Sequence, residues 1–143
     1  MRDVFADASA WIAVLNRRDQ YHPVALAQYR ELLTEKALII NSSWTVYEAL
    51  SILKSRAGIE EAERLWSIVN DPQIARLVPV DEDVEAAAID LFFHYRDKDW
   101  GVVDCSSLII MNKLGCQTAF AFDEHFTQAA KQYGFEILSK VEE

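Results

Sequence analysis

The stretch Trp100-Gly101-Val102-Val103-Asp104-Cys105-Ser106-Ser107-Leu108-Ile109-Ile110-Met111 places one acid, Asp104, among apolar residues. From Asp104 onward, the apolar spacing predicts a helix that buries Leu108 and Met111 and ends at Gly115. The four residues on either side of Asp104 include no Arg or Lys. A carboxylate near a core is costly unless it has a partner, a proton or a metal ion. We therefore expect Asp104 to have a charged partner, to be protonated or to bind a metal ion.

Three other acids lie in similarly apolar surroundings, and two of them share one local pattern. Asp7 and Asp123 each follow an apolar strand-like run and precede a helix-like one, and Glu48 lies early on a predicted helix. In a parallel α/β sheet, residues at the carboxyl ends of strands collect where ligands bind. We therefore expect Asp7, Glu48, Asp104 and Asp123 to meet around a divalent cation. Oxygen-only ligands favour Mg²⁺ or Mn²⁺ over zinc, and such a site supports metal-assisted hydrolysis of a phosphodiester.

Each acid also has an ordinary structural explanation. Asp is a favoured helix N-cap that contributes about 1 kcal/mol without any metal, and Thr45 and Glu48 have the spacing of a capping box. If the acids are only caps, the protein is a non-catalytic module whose acidic groove binds a basic peptide. A receiver-like phosphoacceptor domain ranks last, because Ala8-Ser9 rather than a second acid follows Asp7.

Three further residues are candidates for supporting contacts around the acids. Ser107 lies one helical turn after Asp104, where its hydroxyl would bond either a carboxylate or a backbone carbonyl. His125 follows Asp123 closely enough to contact a phosphate or transfer a proton, although an ordinary helix-start histidine is the alternative. Asp99 would add charge at the rim, although a solvated charged loop is its ordinary explanation. The neighbouring Trp100 lies in a predicted loop, and it is either a core residue or an exposed one.

Composition limits both the partners and the compartment. The chain has 143 residues, with 14 basic and 23 acidic side chains and a net charge of −9, and we expect one domain over residues 1–143. The acidity argues against broad nucleic-acid binding and suits a basic protein partner. No apolar run approaches the roughly 20 residues of a membrane span, and the N-terminus lacks a secretory pattern. With two cysteines and no disulfide framework, we expect a cytoplasmic protein.

The chain alternates strand-like and helix-like segments, which predicts an α/β fold with a parallel sheet covered on both faces. Strands are expected at residues 2–6, 38–40, 74–80, 118–122 and 135–138. Helices are expected at residues 8–15, 23–36, 44–56, 60–69, 81–95, 104–115 and 123–133, and residues 140–143 are expected to fray.

On four of these segments the chain resembles the PIN-domain ribonucleases, in particular the VapC-type toxins of toxin–antitoxin pairs. The segments are Val4 to Trp11, the helix with Glu48, Trp100 to Ser107, and Ala119 to Phe126 followed by Gly134-Phe135. The resemblance implies a PIN-like three-layer sandwich, in which helices flank a central, mostly parallel sheet of four to five strands.

The resemblance also implies a function. It assigns Asp7, Glu48, Asp104 and Asp123 as the metal-binding and catalytic set of an endoribonuclease that uses Mg²⁺ or Mn²⁺ to cut tRNA, rRNA or mRNA. It further implies a homodimer silenced by a cognate antitoxin, and a nuclease of RNA processing is the alternative within the family. One departure is Val103, where relatives often carry a hydroxyl residue; another is the acidic net charge.

Overall fold

A sheet of five parallel strands runs through residues 2–138, the part of the chain that this computed structural model describes. The strands are β1 (Asp3–Ala6), β2 (Leu38–Ser42), β3 (Ala75–Val78), β4 (Thr118–Phe120) and β5 (Glu136–Ile137), in the spatial order β3-β2-β1-β4-β5. All four strand pairings are parallel. The predicted α/β class and parallel sheet are therefore confirmed.

Seven helices among the described residues cover both faces of this sheet. They are α1 (Ala8–Leu15), α2 (His22–Thr34), α3 (Ser43–Arg56), α4 (Ile59–Val69), α5 (Glu82–His94), α6 (Val102–Leu114) and α7 (Glu124–Tyr133). Successive strand side chains point to opposite faces, so Val4 and Ala6 of β1 pack into a core with α1 to α4, while Phe5 packs with α5 to α7. The result is the predicted three-layer sandwich.

A buried polar contact fixes α1 against the centre of the sheet. Trp11 is fully buried, and its Nε1 donates to Asn41 Oδ1 on β2 at 2.6 Å. The Asn41 amide nitrogen in turn donates to the Ile39 carbonyl at 2.9 Å. Because an unpaired buried N–H is costly, this chain of bonds specifies how α1 sits on the sheet. The position of α1 matters, since its first residue follows Asp7.

The structure corrects several predicted boundaries and decides between two alternatives for Trp100. Helix α6 begins at Val102 rather than Asp104, because Gly101 is its N-cap and Asp104 is its third residue. Strands β3, β4 and β5 are shorter than the strands predicted at residues 74–80, 118–122 and 135–138. Of the two alternatives for Trp100, the core one is correct, because Trp100 is 3% exposed and its Nε1 donates to Gln128 Oε1 at 3.1 Å. The fraying expected at residues 140–143 lies outside the described residues.

None of the helices within residues 2–138 is long and apolar enough to cross a membrane. Cys105 and Cys116 are both buried free thiols. Cys105 lies on α6, whereas Cys116 lies beyond Gly115, which ends this helix in the left-handed conformation.

Candidate functional site

Asp7 and Asp123 lie at the carboxyl ends of two neighbouring strands, β1 and β4. Asp7 caps α1 through a 3.1 Å bond from the Ser9 backbone N–H to its Oδ2. Asp123 caps α7 through a 3.0 Å bond from the His125 N–H to its Oδ1. Because β1 and β4 are paired and parallel, these two caps open onto the same edge of the sheet.

Asp104 and Glu48 approach this edge from α6 and α3. Asp104 Oδ2 accepts a 3.0 Å bond from the Gly101 N–H, which closes the first turn of α6. Helix α3 is capped by Ser42, whose Oγ accepts the Thr45 N–H at 3.0 Å. The capping box considered for Thr45 and Glu48 is therefore wrong, and Glu48 takes no part in that cap.

The four carboxyl groups share one electrostatic environment. Burial, followed by the charges of Asp104 and Asp123, raises the pKa of Asp7 from 3.8 to about 7, against the opposing bonds from Ser9. Burial, followed by the same two charges, also raises the pKa of Glu48. The pKa of Asp104 is raised by burial and then by Asp123. The structure thus brings together the acids that the sequence predicted. Two of them, Asp7 and Asp123, are helix N-caps as well, and Asp104 accepts the N–H of the N-cap residue Gly101.

These acids are arranged by depth from a buried floor to an open rim. Asp7 is 4% exposed, and the side chains of Asp104 and Asp123 are 16% and 32% exposed. Glu48 is exposed, although its carboxyl group is partly desolvated and lies near the charges of Asp104 and Asp123. A ligand entering from solvent would meet Glu48 and Asp123 first and Asp7 last.

His125 is a basic side chain in direct contact with this group. Its Nδ1 lies 3.2 Å from Asp104 Oδ2 and 3.7 Å from Asp123 Oδ1. One donor atom from each of Asp104, Asp123 and His125 lies within 4.8 Å of the other two, a separation suited to a shared metal ion. Carboxylates whose pKa values are raised by burial and by one another are the donor set that a divalent cation would stabilise. The residues therefore fit a divalent metal site.

Ser107 and Asp99 lie outside this contact. Ser107 is buried, and its hydroxyl donates to the Val103 carbonyl at 3.2 Å, the ordinary alternative for that residue. It also lies 3.3 Å from Thr45 Oγ1, which accepts a 2.8 Å bond from Ser42. This line of buried hydroxyls joins the start of α3 to α6. Asp99 is exposed in the loop before α6, and its effect on the rim stays a prediction.

Ser9 is the supporting residue that sequence reasoning missed. Its hydroxyl donates to Asp7 Oδ2 at 2.6 Å and accepts the Phe122 N–H at 2.9 Å. It therefore joins the end of β1 to the segment that carries Asp123. The one signal in the sequence was a serine two residues after a strand-terminal aspartate, a spacing typical of local hydrogen-bonded turns.

We expect Ser9→Ala to destabilise this edge and to make Asp7 harder to ionise. The variant loses two hydrogen bonds, which predicts a loss of about 1–3 kcal/mol in unfolding free energy. Because the Ser9 bonds oppose the rise in the pKa of Asp7, that pKa should rise further. Urea unfolding at several pH values would measure both effects. Ser51→Ala is the control, since it removes an exposed hydroxyl that donates to the Tyr47 carbonyl one turn earlier on α3. Equal losses in the two variants would contradict the prediction.

Comparison with known proteins agrees with this geometry. The model of the PIN domain family matches residues 4–132. The protein named 23S rRNA-specific endonuclease VapC20, found in two strains of Mycobacterium tuberculosis, is 27% identical over 126 residues, covering 88% of this chain and 93% of the relative. The crystal structure of M. tuberculosis VapC20, described as a sarcin–ricin loop cleaving toxin, superposes with a TM-score of 0.78 at 27% identity, covering 92% of this chain and 95% of that one.

Proposed function

The chain belongs to the PIN domain family, and on that premise we propose that it is a metal-dependent endoribonuclease acting as the toxin of a toxin–antitoxin pair. The observation that carries the proposal is the convergence of Asp7, Glu48, Asp104 and Asp123 at one edge of the sheet. The described residues share a single sheet, which supports treating residues 1–143 as one PIN-like domain.

Nucleases of this family use divalent metals, and Mg²⁺ or Mn²⁺ is the proposed ion here. Asp7 and Asp104 are the proposed main ligands, with Glu48 and Asp123 holding a second ion or bound waters. When bound, the ion supplies polarisation of the phosphodiester and a lowered pKa of water. The support for this assignment is the donor set itself, because crowded carboxylates with raised pKa values favour a cation in place of protons.

The protein's own residues orient the metal-binding carboxylates and accept the proton of the attacking water. The Gly101 N–H orients Asp104, and the Ser9 hydroxyl and N–H orient Asp7. Glu48 and Asp123 are the more exposed acids, so one of their carboxylate oxygens is the proposed acceptor of the proton from the attacking water. In-line attack at phosphorus would leave 5′-phosphate and 3′-hydroxyl ends, as the family resemblance implies.

The proposed substrate is RNA, and the proposed silencing partner is a cognate antitoxin. The similarity to a 23S rRNA-specific endonuclease makes large-subunit rRNA the first RNA to test, followed by tRNA and mRNA. The net charge of −9 supports RNA binding that is confined to the metal site. It also supports an antitoxin whose contacting surface is basic. A homodimer and a cytoplasmic location complete the proposal, the latter supported by two free thiols.

Cleavage of rRNA by metal-free and metal-loaded protein tests the nuclease. We expect no cleavage in EDTA and restored cleavage, with 5′-phosphate ends, after excess Mg²⁺ or Mn²⁺ is added. The same titration should raise the melting temperature, because an ion at 100 times its Kd adds about 2.7 kcal/mol to stability. An acidic module that binds a basic peptide would show neither effect. Absence of RNA cleavage together with absence of stabilisation by the metal would therefore contradict the proposal.

A growth assay separates the toxin from a nuclease of RNA processing. Both would cleave RNA in vitro, but only a toxin should arrest growth when expressed alone and release that arrest when its antitoxin is expressed with it. Cleavage in vitro without growth arrest would favour the processing enzyme.

A further inference from the structure

The ring of His125 is placed between two acids that come from different elements. Its backbone N–H is held by the Asp123 cap at 3.0 Å, which fixes the residue in the first turn of α7. Its Nδ1 lies 3.2 Å from Asp104 Oδ2 on α6 and 3.7 Å from Asp123 Oδ1. The nitrogen therefore faces the proposed metal site rather than open solvent.

Charge balance gives a neutral nitrogen donor a role at this site. Four carboxylates around the proposed cation carry more negative charge than one divalent ion neutralises. A neutral imidazole adds a ligand without adding charge. The three donor atoms of Asp104, Asp123 and His125 lie within 4.8 Å of one another.

We propose that His125 Nδ1 is a direct metal ligand, and that this nitrogen makes the site favour Mn²⁺ over Mg²⁺. The inference rests on the proposed function for the presence of an ion. Mg²⁺ takes hard oxygen ligands and keeps its waters, whereas imidazole suits transition metals, and Mn²⁺ accepts both kinds of donor. The 3.2 Å contact of His125 Nδ1 with Asp104 Oδ2 then describes the metal-free protein, and a metal ion bound between the two atoms would replace it.

Electron spin-echo spectroscopy of bound Mn²⁺ tests the ligand directly, because a coordinated imidazole nitrogen modulates the echo. The experiment uses the untagged full-length protein, since a polyhistidine tag would bind the same ion. We expect ¹⁴N modulation in the wild type, its loss in His125→Gln and its retention in His94→Gln. His94 is an exposed histidine at the end of α5, which carries none of the four acids. Glutamine at residue 125 leaves the α7 cap intact, because the cap uses the backbone N–H.

Ion affinities supply a second readout. Titration calorimetry should show Mn²⁺ affinity falling by at least about tenfold in His125→Gln, because even the loss of a residue that only supports a metal ligand costs about 10–100-fold. Mg²⁺ affinity should change much less. Mn²⁺ bound to the wild type without ¹⁴N modulation would overturn the inference and leave the carboxylate site and the nuclease standing. Absence of any bound Mn²⁺, together with absence of RNA cleavage, would instead overturn the proposed function and this inference with it.

Discussion

Asp104→Asn is expected to lower kcat/KM for RNA cleavage about a thousandfold, or about 4 kcal/mol in transition-state stabilisation, because the variant removes a proposed metal ligand. Asparagine keeps the shape of the side chain, and its amide oxygen can still accept the Gly101 N–H that Asp104 accepts at 3.0 Å. The cap of α6 should therefore persist while the negative charge is lost. Cleavage time courses at saturating Mn²⁺, with thermal melting of the same samples, measure activity and folding separately.

Asp81→Asn is the matched control for this experiment. Asp81 caps α5 by accepting the Val84 N–H at 2.9 Å, so, like Asp104, it stabilises the first turn of a helix through a bond from a backbone N–H. It precedes a helix that carries none of the four acids. We expect Asp81→Asn to retain wild-type cleavage. If Asp104→Asn also cleaves at the wild-type rate, Asp104 only stabilises the first turn of α6, and the assignment of this acidic site as the nuclease centre is wrong.

The fold was predictable because its signals are local and repeated. Apolar runs alternating with helical spacing predict parallel strands joined by helices, whatever the spatial order of the strands. The order β3-β2-β1-β4-β5 was not predictable, since it depends on pairings between distant segments such as Phe5 with Ala119. The start of α6 was missed because Val102 and Val103 resemble a strand. The helix begins at Val102 because Gly101 is its N-cap and the Asp104 carboxylate accepts the Gly101 N–H.

The site was predictable only in its acids. Asp7 and Asp123 share a strand–acid–helix pattern, so a parallel sheet places them together without further information. The environment of each acid depends on long-range contacts that leave no pattern. Ser9 is recognisable as a support only once the Phe122 N–H, 113 residues away, is seen on its hydroxyl. Likewise, the depth order from buried Asp7 to exposed Glu48 follows from helix placement, because both acids have apolar neighbours in the sequence.

The metal-free protein is expected to become more stable as the pH falls from about 8 to about 5. Burial, followed by nearby negative charges, raises the pKa of Asp7 from 3.8 to about 7. Between these values the folded state binds a proton that the unfolded state releases, so the unfolding free energy falls as the pH rises through this window. For Asp7 alone, the full shift of its pKa from 3.8 to about 7 corresponds to about 4 kcal/mol, of which more than half is expected between pH 8 and pH 5. The raised pKa values of Glu48 and Asp104 act in the same direction.

Urea unfolding in EDTA across this pH range tests the expectation, with Asp7→Asn as the variant and Asp3→Asn as the control. Asparagine at residue 7 cannot ionise, so this variant should lose most of the pH dependence and gain stability at pH 8. Asp3 is exposed at the start of the same strand, so Asp3→Asn should follow the wild type. Parallel curves for all three proteins would contradict a protonated Asp7.

Saturating Mn²⁺ should then reverse the slope, because a proton and a cation compete for the same Asp7 oxygens and the cation gains as the proton leaves. A reversal that Asp7→Asn abolishes and Asp3→Asn preserves would identify the buried floor of the pocket as the point where the ion binds. It would also explain why a carboxylate so costly to ionise is kept in a core position, since its instability without metal is the source of its affinity for one.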